Sequence, residues 1–144
     1  MILELDQATL KSIQSHGEAS YPDEGAGLLL GAHEGEVRQV RAIYTLKNTR
    51  EDVARHNRYL LTPQDYARGE QEAARLGWDL VGVFHSHPDH PSQPSDFDRE
   101  WAMPWFSYMI TSIENGHTAS TRSWRLAEDR SRFEEETIKV IRKG

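Results

Sequence analysis

An α/β fold built as a single domain over residues 1–144 is what this sequence predicts, and three observations predict it. Helical and strand-like patterns alternate along the chain, with no repeats and no low-complexity linkers. The length suits one hydrophobic core: a chain of this size buries about 68 to 70% of its unfolded surface and has no room for a second catalytic domain. Hydrophobic content of 37% and charged content of 28%, mixed along the chain, indicate a globular protein rather than a disordered one.

Each element has its own signal. Asp6 is a suitable N-cap, and Leu10 and Ile13, with Ala8, face inward if residues 7 to 16 form an amphipathic helix ended by Gly17. Leu28–Gly31 and Val37–Thr45 read as strands joined by the polar turn His33-Glu34-Gly35-Glu36, a hairpin. Residues 47 to 58 are strongly charged and read as a solvated loop, followed by a short strand over Tyr59–Leu61. Thr62 as N-cap and Pro63 at the first helical position start a helix that runs to Leu76 and stops at Gly77, with Gly69 a weak point inside it. The apolar run Leu80–Phe84 reads as a strand, as do Phe106–Thr111 and Ser120–Leu126. Phe133, Thr137, Val140 and Ile141 recur at helical spacing, so Phe133 to Arg142 reads as a last helix, with Lys139, Arg142 and Lys143 placed to suit its dipole. Trp101, Trp105 and Phe106 read as core, since clustered aromatics usually pack.

Composition removes several classes of function. The absence of cysteine excludes disulfides, thiolate zinc sites and cysteine nucleophiles together. A formal net charge of −6 argues against general binding to a nucleic-acid backbone. No apolar run reaches the eighteen or so residues of a membrane span, and Met1–Asp6 lacks the basic and long apolar regions of a signal peptide. The expected address is therefore the cytoplasm, with no membrane partner.

The chemistry concentrates in one stretch. If the Leu80–Phe84 run continues as a strand, His85 and His87 at i and i+2 point the same way from its C-terminal end. Pro88 stops that strand, Asp89 to Pro94 form a stiff loop, and Ser95-Asp96-Phe97-Asp98 opens a helix with Asp98 in its first turn. Two imidazoles and a carboxylate make the donor set of a catalytic zinc with a fourth position left for water. A plainer reading uses the same residues: Ser-x-x-Asp before an apolar stretch is also a capping box, in which Ser95 and Asp98 only satisfy backbone donors. His16, His33, His56, His90 and His117 read as surface or satisfied residues.

The complete series, His85-Ser86-His87-Pro88 followed after six residues by Ser95-x-x-Asp98, resembles the signature of the JAMM, or MPN-plus, zinc metalloproteases. That signature also has a Glu ahead of a Gly- and Leu-rich strand. The segment from Tyr21 to Gly31 is similar, with Glu24 in place and Ala26 where many relatives carry a Cys. The resemblance extends to the strands around Tyr108–Ile110 and Ser123–Leu126, and so covers most of the chain. It implies a mixed β-sheet flanked by helices, similar to the cytidine-deaminase architecture. It also implies one zinc ion on His85, His87 and Asp98, with Glu24 as general base and Ser95 as hydrogen-bond donor to the oxyanion; for Ser95 the cap and oxyanion roles both stay open.

Small stand-alone prokaryotic members resemble this chain in size. They imply hydrolysis of a peptide or isopeptide bond after the C-terminal tail of a ubiquitin-like or sulfur-carrier protein, by water activated on the metal. Two other readings stand beside it. One is a non-catalytic MPN-type scaffold, though such members typically lose the ligands. The other is a DNA-repair-associated protein with a similar motif, against which the acidic charge counts. A zinc deaminase is disfavoured by the lack of a Cys ligand.

Overall fold

The computed structural model describes residues 1–46 and 61–142, so the charged loop read over 47 to 58 and most of the short strand after it lie outside the described residues. In chain order the elements are β1 (Ile2–Asp6), α1 (Gln7–Ser20), β2 (Ala26–Glu34), β3 (Val37–Leu46), α2 (Pro63–Leu76), β4 (Asp79–Pro88), α3 (Asp96–Trp101), β5 (Ser107–Glu114), β6 (His117–Leu126) and β7 (Phe133–Ile141). The strands form one mixed sheet in the order β1-β3-β2-β4-β5-β6-β7, closed by parallel pairing of β7 with β1. Pairs β1–β3 and β4–β5 are also parallel, and the remainder antiparallel. Among the described residues no helix is long and apolar enough to cross a membrane.

Helices cover both faces of the sheet, and alternation along β2 shows how. Leu29 packs with Leu3, Leu5, Val40, Phe84, Met109 and Ile13 of α1, while Leu28 and Leu30 pack on the other face with Val83, Tyr108 and Ala73 of α2. Each fully buried leucine contributes about 1.5–3 kcal/mol relative to an exposed one, so two such layers hold the sheet between the helices. α1 packs against β1, β3, β4, β5, β6 and β7, and α2 against β2, β3 and β4.

The sheet also carries a register shift that aims the motif strand. Leu29 pairs with Gly82 but Leu30 with Leu80, so Val81 is skipped. This bulge makes Val81 and Phe84 face α1 while Val83 faces α2. Beyond it the alternation is regular. Ser86 faces α1, where a Cβ built on Gly17 would stand 3.0 Å from the Ser86 Cβ, and His85 and His87 project from the opposite face.

Several sequence expectations change. The last segment is a strand, not a helix: β7 pairs with both β6 and β1 and closes the sheet. Its inward position 136 holds a glutamate, buried because Arg125 and Ser123 bind its carboxylate at 2.8 and 2.9 Å, and that charge hid the two-residue period. β1 carries buried Leu3 and Leu5 in alternation and was not anticipated as a strand. Gly17 does not end α1, which continues to Ser20, because a residue without Cβ is needed where the helix lies against Ser86 and Ile113. Pro88, by contrast, ends β4 as the sequence predicts. Trp101 and Trp105 are 55% and 60% exposed rather than core, whereas Phe106 is buried as expected. Thr62 as N-cap, Pro63 at the start and the Gly77 stop frame α2 as the sequence predicts, and Asp65 adds a capping box with Thr62.

Candidate metal centre

The site forms where β4 ends. His85 and His87 share one face of that strand, and their Nε2 atoms lie 3.1 Å apart. From the first turn of α3, Asp98 brings Oδ1 to 3.3 Å from His85 Nε2 and Oδ2 to 3.1 Å from His87 Nε2. All three side chains are buried. Glu24 arrives from the segment that leads into β2. Ala26 pairs with His85 in the antiparallel ladder, and the Gly25 carbonyl accepts from the Ser86 N–H at 2.9 Å, which brings Glu24 in beside the histidines. Glu24 is 2% exposed and offers a carboxylate oxygen within 4.8 Å of donors on both histidines. The sequence-predicted residues Glu24, His85, His87, Ser95 and Asp98 are thus gathered in one place from three segments of the chain.

The capping box and the cluster coexist. Ser95 Oγ accepts from the Asp98 N–H at 3.0 Å, and the Ser95 N–H donates to Asp98 Oδ2 at 2.8 Å. The box therefore orients the carboxylate that faces the imidazoles. It uses a lone pair of the Ser95 hydroxyl and leaves its hydrogen able to donate elsewhere, so the two roles read from the sequence do not exclude each other. Ser95 lines an open cavity of about 380 Å³ together with Glu24, His87 and His90. Across Asp98 lies a second, more apolar cavity of about 620 Å³ walled by Tyr66, Phe97, Trp101 and Trp105.

Electrostatics act differently on the three side chains. Burial pushes His85 down, against the pull of Asp98, and keeps it neutral. Burial also opposes charge on His87, but the Asp98 carboxylate, the Pro91 carbonyl and Glu24 outweigh it and hold His87 above its ordinary value. Burial likewise works against charge on Asp98, yet the two imidazoles pull it well below the usual carboxylate range. At neutral pH Asp98 is anionic.

Donor spacing tests whether the group suits a metal. Ligand bonds of about 2.0–2.2 Å in a tetrahedral site put neighbouring donors about 3.3 Å apart. The separations here are 3.1, 3.1 and 3.3 Å, with one oxygen of Asp98 turned to each imidazole. Two imidazole nitrogens and a carboxylate fit in both type and spacing. His87 Nδ1 lies 2.8 Å from the Pro91 carbonyl, the outer hydrogen bond that metal-ligating histidines usually make.

With this geometry in view, comparison with known proteins becomes specific. The family described as prokaryotic homologs of the JAB domain matches residues 6–127. The chain belongs to that family. It is a small prokaryotic JAMM/MPN protein, and its fold agrees: it superimposes on a protein from Desulfitobacterium hafniense with a TM-score of 0.84 at 27% identity, covering 98% of this chain and 94% of the other. A JAB1/MPN domain protein from Archaeoglobus fulgidus shares the fold with a TM-score of 0.60 at 20% identity, covering 99% of this chain and 100% of that one.

Among sequence relatives, a desampylase from Haloferax volcanii is 35% identical over 101 residues, 68% of each chain. A probable TtuB-protein conjugate cleaving protease from Thermus thermophilus is 27% identical over 108 residues, 73% of this chain and 68% of the other. Tail tip assembly protein K of Escherichia phage N15 is 29% identical over 103 residues, 69% of this chain but only 37% of the phage protein.

Two contributors to this JAB-domain site escaped the sequence reading. Ser86, between the two histidines, points the other way: its Oγ accepts the Gly25 N–H at 2.8 Å and its N–H donates to the Gly25 carbonyl at 2.9 Å. It pins the residue next to Glu24. Its place at the odd position between two same-facing ligands was the available signal. The Pro91 carbonyl had none, because a backbone acceptor carries no residue signature.

Proposed function

We propose that this chain is a zinc-dependent peptidase or isopeptidase that releases a ubiquitin-like or sulfur-carrier protein from a conjugate by cutting after its C-terminal tail. The observation that carries the reading is the meeting of His85, His87 and Asp98 donors within 3.3 Å of one another with Glu24 beside them. The names of the Haloferax and Thermus relatives, a desampylase and a conjugate cleaving protease, support the substrate class.

His85, His87 and Asp98 would hold the ion. Zinc bound there lowers the pKa of a coordinated water to about 7 and polarises a carbonyl oxygen. Glu24 takes a proton from the attacking water and hands it to the departing amine, for which its buried place beside the two histidines suits it. The Ser95 hydroxyl, its lone pair used by the helix cap, donates its hydrogen to the carbonyl oxygen as charge develops there. Losing one such donor typically raises the barrier by about 3 kcal/mol. Asp98, fixed by the Ser95 N–H, keeps its orientation throughout.

The test is cleavage of carrier-protein conjugates by the purified chain supplied with zinc, with and without a chelator, beside Glu24→Gln. The expected result is cleavage at the carrier's C-terminus that the chelator stops and that falls about 10²–10⁴-fold in the variant, while zinc binding is kept. Conjugates left intact by the zinc-loaded chain, or an undiminished rate in Glu24→Gln, would overturn the proposal. Absence of zinc binding would favour a non-catalytic scaffold.

A further inference from the structure

The loop from Asp89 to Pro94, between β4 and α3, is tied to the barrel at two points. At its start the Asp89 N–H donates to the Ile113 carbonyl at 2.7 Å, and the Asp89 carboxylate accepts from the Tyr21 hydroxyl at 2.6 Å and the Asn115 N–H at 2.9 Å. In its middle, buried Ser92 is gripped twice by β6. Its Oγ lies 2.8 Å from Ser120 Oγ, and its carbonyl accepts from Trp124 Nε1–H at 3.0 Å. The peptide just before Ser92 carries the Pro91 carbonyl, which faces His87 Nδ1 at 2.8 Å.

A carbonyl can only accept, so this contact requires a proton on Nδ1. Nε2, the atom that faces His85 Nε2 and Asp98 Oδ2, gives up its proton when an ion binds there, and the proton on Nδ1 is the one that stays. A free imidazole exchanges between both tautomers, and only one of them can bind a metal through Nε2.

We propose that Trp124 and Ser120 of β6 are positioning residues for His87: by holding the loop at Ser92 they fix the Pro91 carbonyl where it selects the Nδ1–H tautomer and turns Nε2 toward the ion. The inference rests on the reading of this cluster as a metal centre and deepens it, since it names side chains on another strand that set a ligand's protonation site. Trp124 lies far along the chain from the motif, on β6. Its ring also packs under the Arg122 guanidinium, 4.8 Å from the ring centroid, a contact a phenylalanine ring keeps. Trp124→Phe therefore removes the N–H while preserving a ring at the position.

The experiment uses the full chain labelled with ¹⁵N and long-range imidazole ¹H–¹⁵N correlations, which read the proton on His87 Nδ1 directly. Zinc affinity is measured on the same samples by competition with a chelating dye. The expected result is that wild type keeps a hydrogen-bonded proton on His87 Nδ1. Trp124→Phe shifts His87 toward a mixture of tautomers and weakens zinc binding about 10- to 100-fold, the range typical of lost outer-shell partners. Ser120→Ala acts in the same direction and Ser120→Thr, which keeps the hydroxyl, restores the wild-type values. This serine pair carries the test if Trp124→Phe does not fold. An unchanged tautomer and a zinc affinity within twofold of wild type in both Trp124→Phe and Ser120→Ala would overturn the proposal. A wild-type chain that binds no zinc, or binds it equally well as Asp98→Ala, would instead remove the metal reading, while the metal-free tautomer comparison would still decide whether β6 sets the His87 proton.

Discussion

Replacing Ser86 with alanine isolates the contact that places Glu24. The Ser86 side chain is 2% exposed and faces α1 rather than the metal centre, so the substitution removes neither a candidate ligand nor a cavity-filling group of any size. What it removes is the acceptor for the buried Gly25 N–H, bonded at 2.8 Å. A buried donor left without its partner costs about 1–3 kcal/mol. For a chain of this length each kcal/mol lowers the melting temperature by about 2–4 °C, so Ser86→Ala should melt roughly 2–12 °C below wild type. The backbone pair from the Ser86 N–H to the Gly25 carbonyl remains, so the strands stay in register. With Gly25 loosened, Glu24 loses its fixed place, and hydrolysis should fall much more than zinc affinity. Differential scanning calorimetry, dye-competition zinc titration and conjugate cleavage read the three quantities on one preparation. A melting temperature within 1 °C or so of wild type together with undiminished cleavage would show that Ser86 does not hold Glu24, and the account of the site's assembly would be wrong.

Three further outcomes are expected. Gly69→Ala gains about 1 kcal/mol in helix propensity, but its new Cβ would run into Cδ1 of fully buried Leu28, and overpacking costs about 1–3 kcal/mol. Urea unfolding should therefore show a net loss of roughly 1 kcal/mol, and a stabilised variant would refute the close contact. Zinc at a hundredfold excess over its dissociation constant should raise stability by about 2.7 kcal/mol, a gain that chelation and Asp98→Ala both erase; equal stabilisation in that variant would move the metal elsewhere. Tyr66, whose hydroxyl is pushed up to about 12 by burial and then by the Asp65 charge, binds its proton more tightly folded than unfolded. Its contribution is thus intact below about pH 10 and lost as pH rises toward 12. Urea midpoints of wild type and Tyr66→Phe should converge or cross over that window, and parallel pH profiles would argue against the buried hydroxyl.

The differences between sequence reading and structure have physical causes that individual residues show. α2 was legible because its signals are local: a threonine N-cap, a proline at the first turn and a glycine stop each act within a few residues. β7 was not, because Glu136 is buried only by virtue of Arg125 and Ser123 on the neighbouring strand, and its neighbours Val140 and Ile141 mimic a helical stripe. The exposure of Trp101 and Trp105 depends on α3 lying beside an open cavity, which residue type does not encode.

By itself, the sequence determined the donor set and its spacing: two histidines on alternate positions of a strand, an aspartate in the first turn of the following helix, a glutamate ahead of a glycine-rich strand. Those are short-range facts of backbone periodicity and capping chemistry. The tertiary structure decided that the donors meet, through the antiparallel pairing of β2 with β4 that brings Glu24 beside the histidines, the skipped Val81 that aims β4, and the hydrogen bonds from β6 to the loop that carries the Pro91 carbonyl. Such long-range pairings depend on which strands become neighbours when the sheet closes, and no local run of residues encodes that.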